Sequence, residues 1–240
     1  MGVMPELFHV LCAGDERMLL KSAEDELPDV ALLDRAGDEL FRVSQAAKEA
    51  GPPAGAPAGW GASSNGVLAA AAMALRTGRA IGLLVRSGYG VEAAGLVRRL
   101  GEITQRAASC AEDPTGTYAR DWGEGGGRTE KPARAYVRGV TDPGSVRDKW
   151  GFLSQLEHAN LTPYLSFTCS YDQRGEIFHP VAPARHEAAD ALILSSAAWD
   201  LARIAAAVCK AHLHIDDRPI LELAQELQTH QAAGAVPSSG

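Results

Sequence analysis

The spacing of hydrophobic and polar positions predicts helices along most of the chain. In residues 29–50 apolar side chains such as Leu33, Leu40 and Val43 recur at helical spacing, and Gly51 ends the pattern. The predicted fold class is all-α, a bundle of about five to seven helices. Besides 29–50, the predicted helices lie at about 65–85, 91–110, 147–167, 186–212 and 218–230.

A segment rich in proline, glycine and alanine follows the first predicted helix. Residues 51–64 begin with "GPPAGAPAGWG", which offers few side chains for packing and predicts a linker. We therefore expect residues 1–50 to form a flexible, loosely docked helical extension, separable from a bundle domain at 65–230.

A second polar segment interrupts the predicted bundle. Residues 112–146 are rich in glycine and proline and show no periodicity, which predicts a long, mobile loop that carries no core. Residues 169–185 place turn residues around a short apolar piece, which predicts an irregular hairpin. Residues 231–240 are expected to be a disordered tail.

Composition and charge indicate a soluble cytoplasmic protein. Hydrophobic residues are 46% and charged residues 22% of the chain, as in ordinary globular proteins. The formal charge of -7 does not indicate nucleic-acid binding, although a local basic patch stays open. The four cysteines form no CxxC pair and are expected to be free thiols in a reducing compartment. The start of the chain does not predict a signal peptide, and Arg76 and Arg79 divide the longest apolar stretch, so we expect no membrane span.

The predicted helix at 91–110 carries the first candidate site. On a helical wheel Arg98, Glu102, Gln105 and Ser109 lie opposite an apolar side. Arg98 and Glu102 stand four residues apart, so they can form an ion pair. One interpretation is a solvated surface pair. The other is a catalytic cluster in which this polar face meets a second helix.

A family resemblance supports the second interpretation. The segment "LLVRSGYGVEAAGLVRRLGE" and the later "FLSQLEHANLTPY" combine an Arg-x-x-x-Glu helix with a Ser-x-x-x-His helix. This combination resembles the bacterial domain of unknown function numbered 5677, an all-helical family, over about residues 65–212. The resemblance implies a fold rather than a reaction. It adds Ser154 and His158 to Arg98 and Glu102 as candidate catalytic residues.

Arg174 and His179 form an alternative catalytic pair. Their spacing is that of the Arg-x4–6-His motif of the ribonucleases called HEPN, in which both side chains project from a helix. A histidine acting as general acid or base beside an arginine could cleave RNA. However, Gly175 and Pro180 disfavour a helix at this place.

Metal and cofactor sites are not expected. "EIFH" matches one Glu-x-x-His half-site of a di-iron bundle, but such a centre needs two. "HLHIDD", with His212, His214, Asp216 and Asp217, resembles a metal cluster, but it lies between two predicted helices, where capping residues are expected.

Two classes of function follow from these patterns. The first is a non-enzymatic interaction or regulatory module with a protein partner or a second copy of the chain, as in bacterial stress or phage-defence systems. The second is an RNA-cleaving or nucleotide-handling enzyme that uses His158 or His179.

Overall fold

The computed structural model describes residues 28–125, 170–171, 177–178, 187–212 and 215–234. Within these residues six helices form a bundle, which confirms the predicted all-α fold class. The helices are α1 Pro28–Ala50, α2 Trp60–Arg86, α3 Gly90–Glu112, α4 Thr117–Gly123, α5 Glu187–Ala211 and α6 Arg218–Gly234. Two short strands, β1 Ser170–Tyr171 and β2 Ile177–Phe178, pair in antiparallel register.

Helix α5 is the centre of the bundle. It packs against α1, α2 and α3, and α6 covers part of α5 and α1. Its alanine-rich sequence favours a helix and lets neighbouring backbones approach closely. Most of its larger apolar residues, including Leu194, Leu201 and Ile204, are almost completely buried, whereas Leu192 is exposed. The core therefore forms around a helix that is apolar on most of its circumference.

Small residues allow α2 to pack tightly against its neighbours. A Cβ atom at Gly78 would lie 3.0 Å from a methyl carbon of Leu201 on α5. A Cβ atom at Gly66 would lie 2.7 Å from the Sγ atom of Cys110 on α3. Larger side chains at these two positions would hold the helices further apart.

Helix α1 belongs to the main core, which corrects the prediction of a loosely docked extension. Ala36, Leu40 and Val43 are completely buried in the same apolar cluster as residues of α5. The linker is also shorter than predicted, because α2 already begins at Trp60. Residues 1–27 lie outside the described residues.

The predicted loop at 112–146 contains a structured part. Residues 117–123 form helix α4, whose Tyr118, Ala119 and Trp122 pack against the core. The prediction that residues 112–146 make no contact with the core is therefore wrong for residues 117–123. Residues 126–146 and the predicted helix at 147–167 lie outside the described residues, as do the last six residues of the tail.

An antiparallel strand pair lies within the segment that was predicted to form an irregular hairpin, and the other residues of that segment lie outside the described residues. Ser170 faces Phe178, and Tyr171 faces Ile177. Each strand has only two residues, so the pair adds little to a fold that is otherwise helical.

Two helices in the described part of the chain are long and apolar enough to cross a membrane by length and composition. They are α2 and the segment Ala189–Ala211 of α5. The apolar window of α5 is 78% buried inside the bundle, as expected of a core helix, whereas that of α2 is only 39% buried. Helix α2 therefore exposes much more apolar surface than α5.

Candidate functional site

Arg98 and Glu102 form an ion pair at the edge of α3. The Nη2 atom of Arg98 lies 3.5 Å from the Oε1 atom of Glu102, and the side chains are 26% and 38% exposed. The predicted outward polar face is narrower than expected, because Gln105 is only 5% exposed. Helix α3 packs against both α2 and α5, so the buried part of its circumference is wider than the apolar stripe that a contact with one helix would need. The pair therefore lies at the margin of the buried surface.

We expect the coupling between Arg98 and Glu102 to be small. Both side chains reach solvent, so their interaction should contribute about 0.3–0.5 kcal/mol to the free energy of unfolding. Chemical denaturation of Arg98→Ala, Glu102→Ala and the double variant gives this coupling energy directly. The same set of single and double variants of the exposed pair Arg35 and Glu226, whose Nη1–Oε1 distance is 2.8 Å, gives the reference coupling energy. A coupling above about 2 kcal/mol would show that the pair acts as a desolvated site.

The other predicted catalytic residues lie outside the described residues. This holds for Ser154 and His158 and for the alternative pair, Arg174 and His179. The convergence of His158 with Arg98 and Glu102 therefore stays a prediction. Strand β2, Ile177–Phe178, occupies part of the interval between Arg174 and His179. An extended segment there differs from the helix that displays such a pair in HEPN ribonucleases.

His212 joins the end of α5 to the start of α2. Its Nε2 atom lies 3.0 Å from the Oγ atom of Ser64. The Trp60 ring packs edge-on against the imidazole with the centroids 5.1 Å apart, and its Nε1 atom donates a hydrogen bond to the Ala211 carbonyl oxygen at 3.0 Å. Ser64 is 4% exposed and His212 is not exposed at all. A serine next to a histidine could be a nucleophile and its base, but both side chains are buried, and their contact joins the end of α5 to the start of α2.

The capping interpretation of Asp216 is confirmed. The backbone N–H of Arg218, the first residue of α6, donates to the Oδ1 atom of Asp216 at 3.1 Å. The Arg218 guanidinium also donates to Asp216, with an Nη2–Oδ2 distance of 2.7 Å. These side-chain and backbone hydrogen bonds from Arg218 lower the pKa of Asp216 to about 2. Within the described residues no group of three or more His, Cys, Asp or Glu side chains could hold a metal ion.

Helix α5 carries two buried acids, one near its start and one near its middle. Asp190 and Asp200 are 3% and 1% exposed. The Oδ1 atom of Asp190 lies against Gly90, the first residue of α3, because a Cβ atom there would be only 2.5 Å away. Asp190 therefore lies at the N-terminus of α3, where the positive end of the helix dipole favours a carboxylate.

The described cysteines are buried, free thiols. Burial is the main reason why the pKa of Cys110 is raised to about 12 and that of Cys209 to about 11. The neutral thiol is unreactive, because the thiolate is the nucleophile. These two residues therefore belong to the core and not to a catalytic site.

The outward side of α2 exposes apolar and basic side chains next to one another. We define the outer face of α2 as Ala72, Met73, Arg76, Arg79 and Leu83, which are all exposed. Met73 and Leu83 are 37% and 49% exposed. Arg76 and Arg79 form no ion pair with any described residue. This surface therefore combines apolar side chains with two arginines that have no acidic partner among the described residues.

A pocket adjoins the outer face where α4 crosses the start of α2. Its volume is about 340 Å³. Alanine and glycine residues of both helices form most of its wall, and Arg120 and Trp122 of α4 lie at its border. Because small residues create the space, the hydrophobic pattern gives no indication of it.

Comparison of the chain with protein-family models, with curated proteins and with solved structures found no match.

Proposed function

We propose that this protein is a non-enzymatic interaction module that binds an acidic, amphipathic helix of a protein partner along the outer face of α2. The observation that carries the proposal is the composition of α2. Its 27 residues include Arg76, Arg79 and Arg86 but no aspartate or glutamate, in a chain whose formal charge is -7. Only Arg86 has an acidic partner in the described structure, namely Asp34 at 2.9 Å.

The shape of the outer face fits a helix. Its residues lie on one side of the helix from Ala72 to Leu83, eleven residue steps apart, or about 17 Å at 1.5 Å per residue. An amphipathic helix can lay its apolar residues on Met73 and Leu83, in the manner of helix-in-groove recognition. Acidic residues along its flanks would then pair with Arg76 and Arg79.

Charge separates this proposal from binding to a membrane surface. A face with arginines and exposed apolar residues also suits anionic lipid. The protein, however, has a net charge of -7, and a flat anionic bilayer interacts with the negative charges of the protein as well as with its basic face. A partner helix is small enough to contact only the basic face. We therefore favour a protein partner and treat the membrane as an outcome of the test.

A synthetic peptide tests the proposal. The probe is a fluorescein-labelled helix of about 18 residues with leucines on one side and glutamates on both flanks, long enough to cover the outer face. We expect saturable binding in fluorescence anisotropy. Arg76→Glu combined with Arg79→Glu should weaken it by at least about tenfold, because like charges then meet across the interface. Arg99→Glu plus Arg106→Glu is the control that makes the same charge change on α3.

Several results would contradict the proposal. Equal loss of binding in the α3 control would indicate unspecific attraction between charges. Equal binding of a peptide with the same composition but scrambled order would exclude recognition of an amphipathic helix. Binding of the protein to phosphatidylglycerol vesicles but not to the peptide would replace the protein partner with a membrane.

A further inference from the structure

The pocket between α2 and α4 has an apolar wall of unusually small residues. Helix α2 contributes small residues that lie on one of its faces. Helix α4 contributes Ala119, Gly123 and the aromatic ring of Trp122. Small side chains leave a concave space of about 340 Å³. For scale, a cavity of roughly 150 Å³ in an engineered protein holds a benzene molecule. The residues that form this wall are Ala62, Gly66, Ala69, Ala119 and Trp122.

Arg120, a cation with no acidic partner in the part of the chain that the structure describes, lies at the border of this pocket. The Nη2 atom of Arg120 donates to the Thr115 carbonyl oxygen at 3.0 Å and to the Thr117 hydroxyl at 3.5 Å. No described carboxylate forms an ion pair with Arg120, and the Nε and Nη1 atoms donate to no described residue. Asp113, an acid in the same turn, instead accepts hydrogen bonds from Thr115 and Tyr118. Arg120 therefore has donors available for an anion.

The turn that carries Arg120 is held in place by its own hydrogen bonds. The Ser63 hydroxyl on α2 donates to the Asp113 carbonyl oxygen, which ties this turn to α2. Burial raises the pKa of Asp113, but the hydrogen bonds from Thr115, Tyr118 and Thr117 outweigh it, so the pKa lies below its ordinary value. The carboxylate therefore stays ionised at neutral pH and keeps the turn fixed.

The aromatic side of the pocket is fixed as well. The Arg106 guanidinium carbon lies 5.2 Å from the centre of the Trp122 ring, within the range of a cation–π contact. Trp122 is partly buried against the core. A ligand in the pocket would meet a wall that is already ordered, so binding would not require the wall to lose conformational freedom.

We infer that the pocket between α2 and α4 binds a small apolar carboxylic acid. The apolar part lies against the alanines and Trp122, and the carboxylate accepts hydrogen bonds from Arg120. The volume suits one ring or a short chain with a carboxylated arm. Asn65, an exposed residue of the same wall, adds an amide that can donate to the second carboxylate oxygen. This site is separate from the outer face of α2.

Calorimetric titration with 3-phenylpropionate tests this inference on the full chain. We expect one binding site and at least a tenfold weaker dissociation constant for the neutral analogue, 3-phenylpropionamide. Arg120→Gln should weaken binding of the acid by tenfold or more, and Arg120→Lys by less. Ala69→Leu, at an exposed helix position, should fill the pocket and abolish binding of both compounds. Circular dichroism checks that each variant keeps its helices.

The control variant is Arg99→Gln, which removes an exposed arginine from α3 and should leave binding unchanged. The inference is overturned if the acid does not bind, if acid and amide bind equally, or if Ala69→Leu still binds the acid. Since Arg120 and Ala69 lie outside the outer face of α2, their variants should still bind the acidic peptide. Failure of the pocket and failure of the proposed function are therefore distinguishable.

Discussion

Leu40→Ala is expected to lower the free energy of unfolding by about 2–5 kcal/mol. Leu40 on α1 is completely buried in the core that α1 shares with α5, so the substitution leaves a cavity that surrounding side chains fill only in part. Urea denaturation followed by circular dichroism measures the loss. The expected size reflects that α1 is a structural part of the bundle.

The matched control is the next residue. Phe41→Ala removes a larger side chain from the same helix, but Phe41 is 53% exposed. We expect a change of less than about 1 kcal/mol in the free energy of unfolding. Equal effects of Leu40→Ala and Phe41→Ala, or two small ones, would mean that α1 is only loosely docked, as its linker first suggests. A folded truncation that lacks residues 1–58 would lead to the same conclusion.

Gly59→Ala is expected to destabilise the contact between the start of α2 and the turn before α4 by about 1–3 kcal/mol or more. A Cβ atom at Gly59 would overlap the Thr115 carbonyl group and lie 2.6 Å from the Pro114 carbonyl oxygen. Both obstacles are backbone atoms, so neither can rotate away. Gly116 lies opposite Gly59 and has a φ of 68°, a backbone conformation that favours glycine. The close packing of these two glycines limits how far the turn can shift.

Gly61→Ala is the control for this experiment. A Cβ atom at Gly61 would meet no atom within 4 Å, and the residue lies in the first turn of α2. Alanine there should leave stability unchanged or raise it by up to about 1 kcal/mol. Hydrogen exchange of residues 113–123, measured by mass spectrometry, should increase in Gly59→Ala and not in Gly61→Ala. Unchanged exchange in both variants would show that the close contact is not present in solution.

The helices were predictable because their apolar spacing is regular. Residues 186–212 and 218–230 were predicted almost as the structure has them, since α5 is rich in alanine and Pro219 lies in the first turn of α6. The docking of α1 was missed because the composition of a linker says nothing about the contacts of the helix before it. The stripe of Leu33, Leu40 and Val43 was the better indication, because an apolar stripe needs a partner.

The polar contacts were less predictable than the helices. Ser64 and His212 are separated by 148 residues, so no local pattern could bring them together. Asp190 and Asp200 could have been noticed as acids inside the apolar stripe of α5, but their surroundings could not be inferred. The pocket was hidden for a different reason, because a concave space made by alanine and glycine leaves no side-chain pattern to find.

The pairing of α1 with α5 also determines the order in which the chain can fold while it is being made. Helices α2 and α3 are joined by three residues and can pack as soon as both have left the ribosome. Helix α1 is synthesised before the other described helices, but 136 residues lie between its end at Ala50 and the start of α5 at Glu187. At about 5–20 residues per second, α1 waits roughly 7–27 s for its main described partner. During this time the part of the apolar stripe around Leu40 that faces α5 is open to chaperones and to other nascent chains, so the first of the described helices is among the last of them to be completely buried.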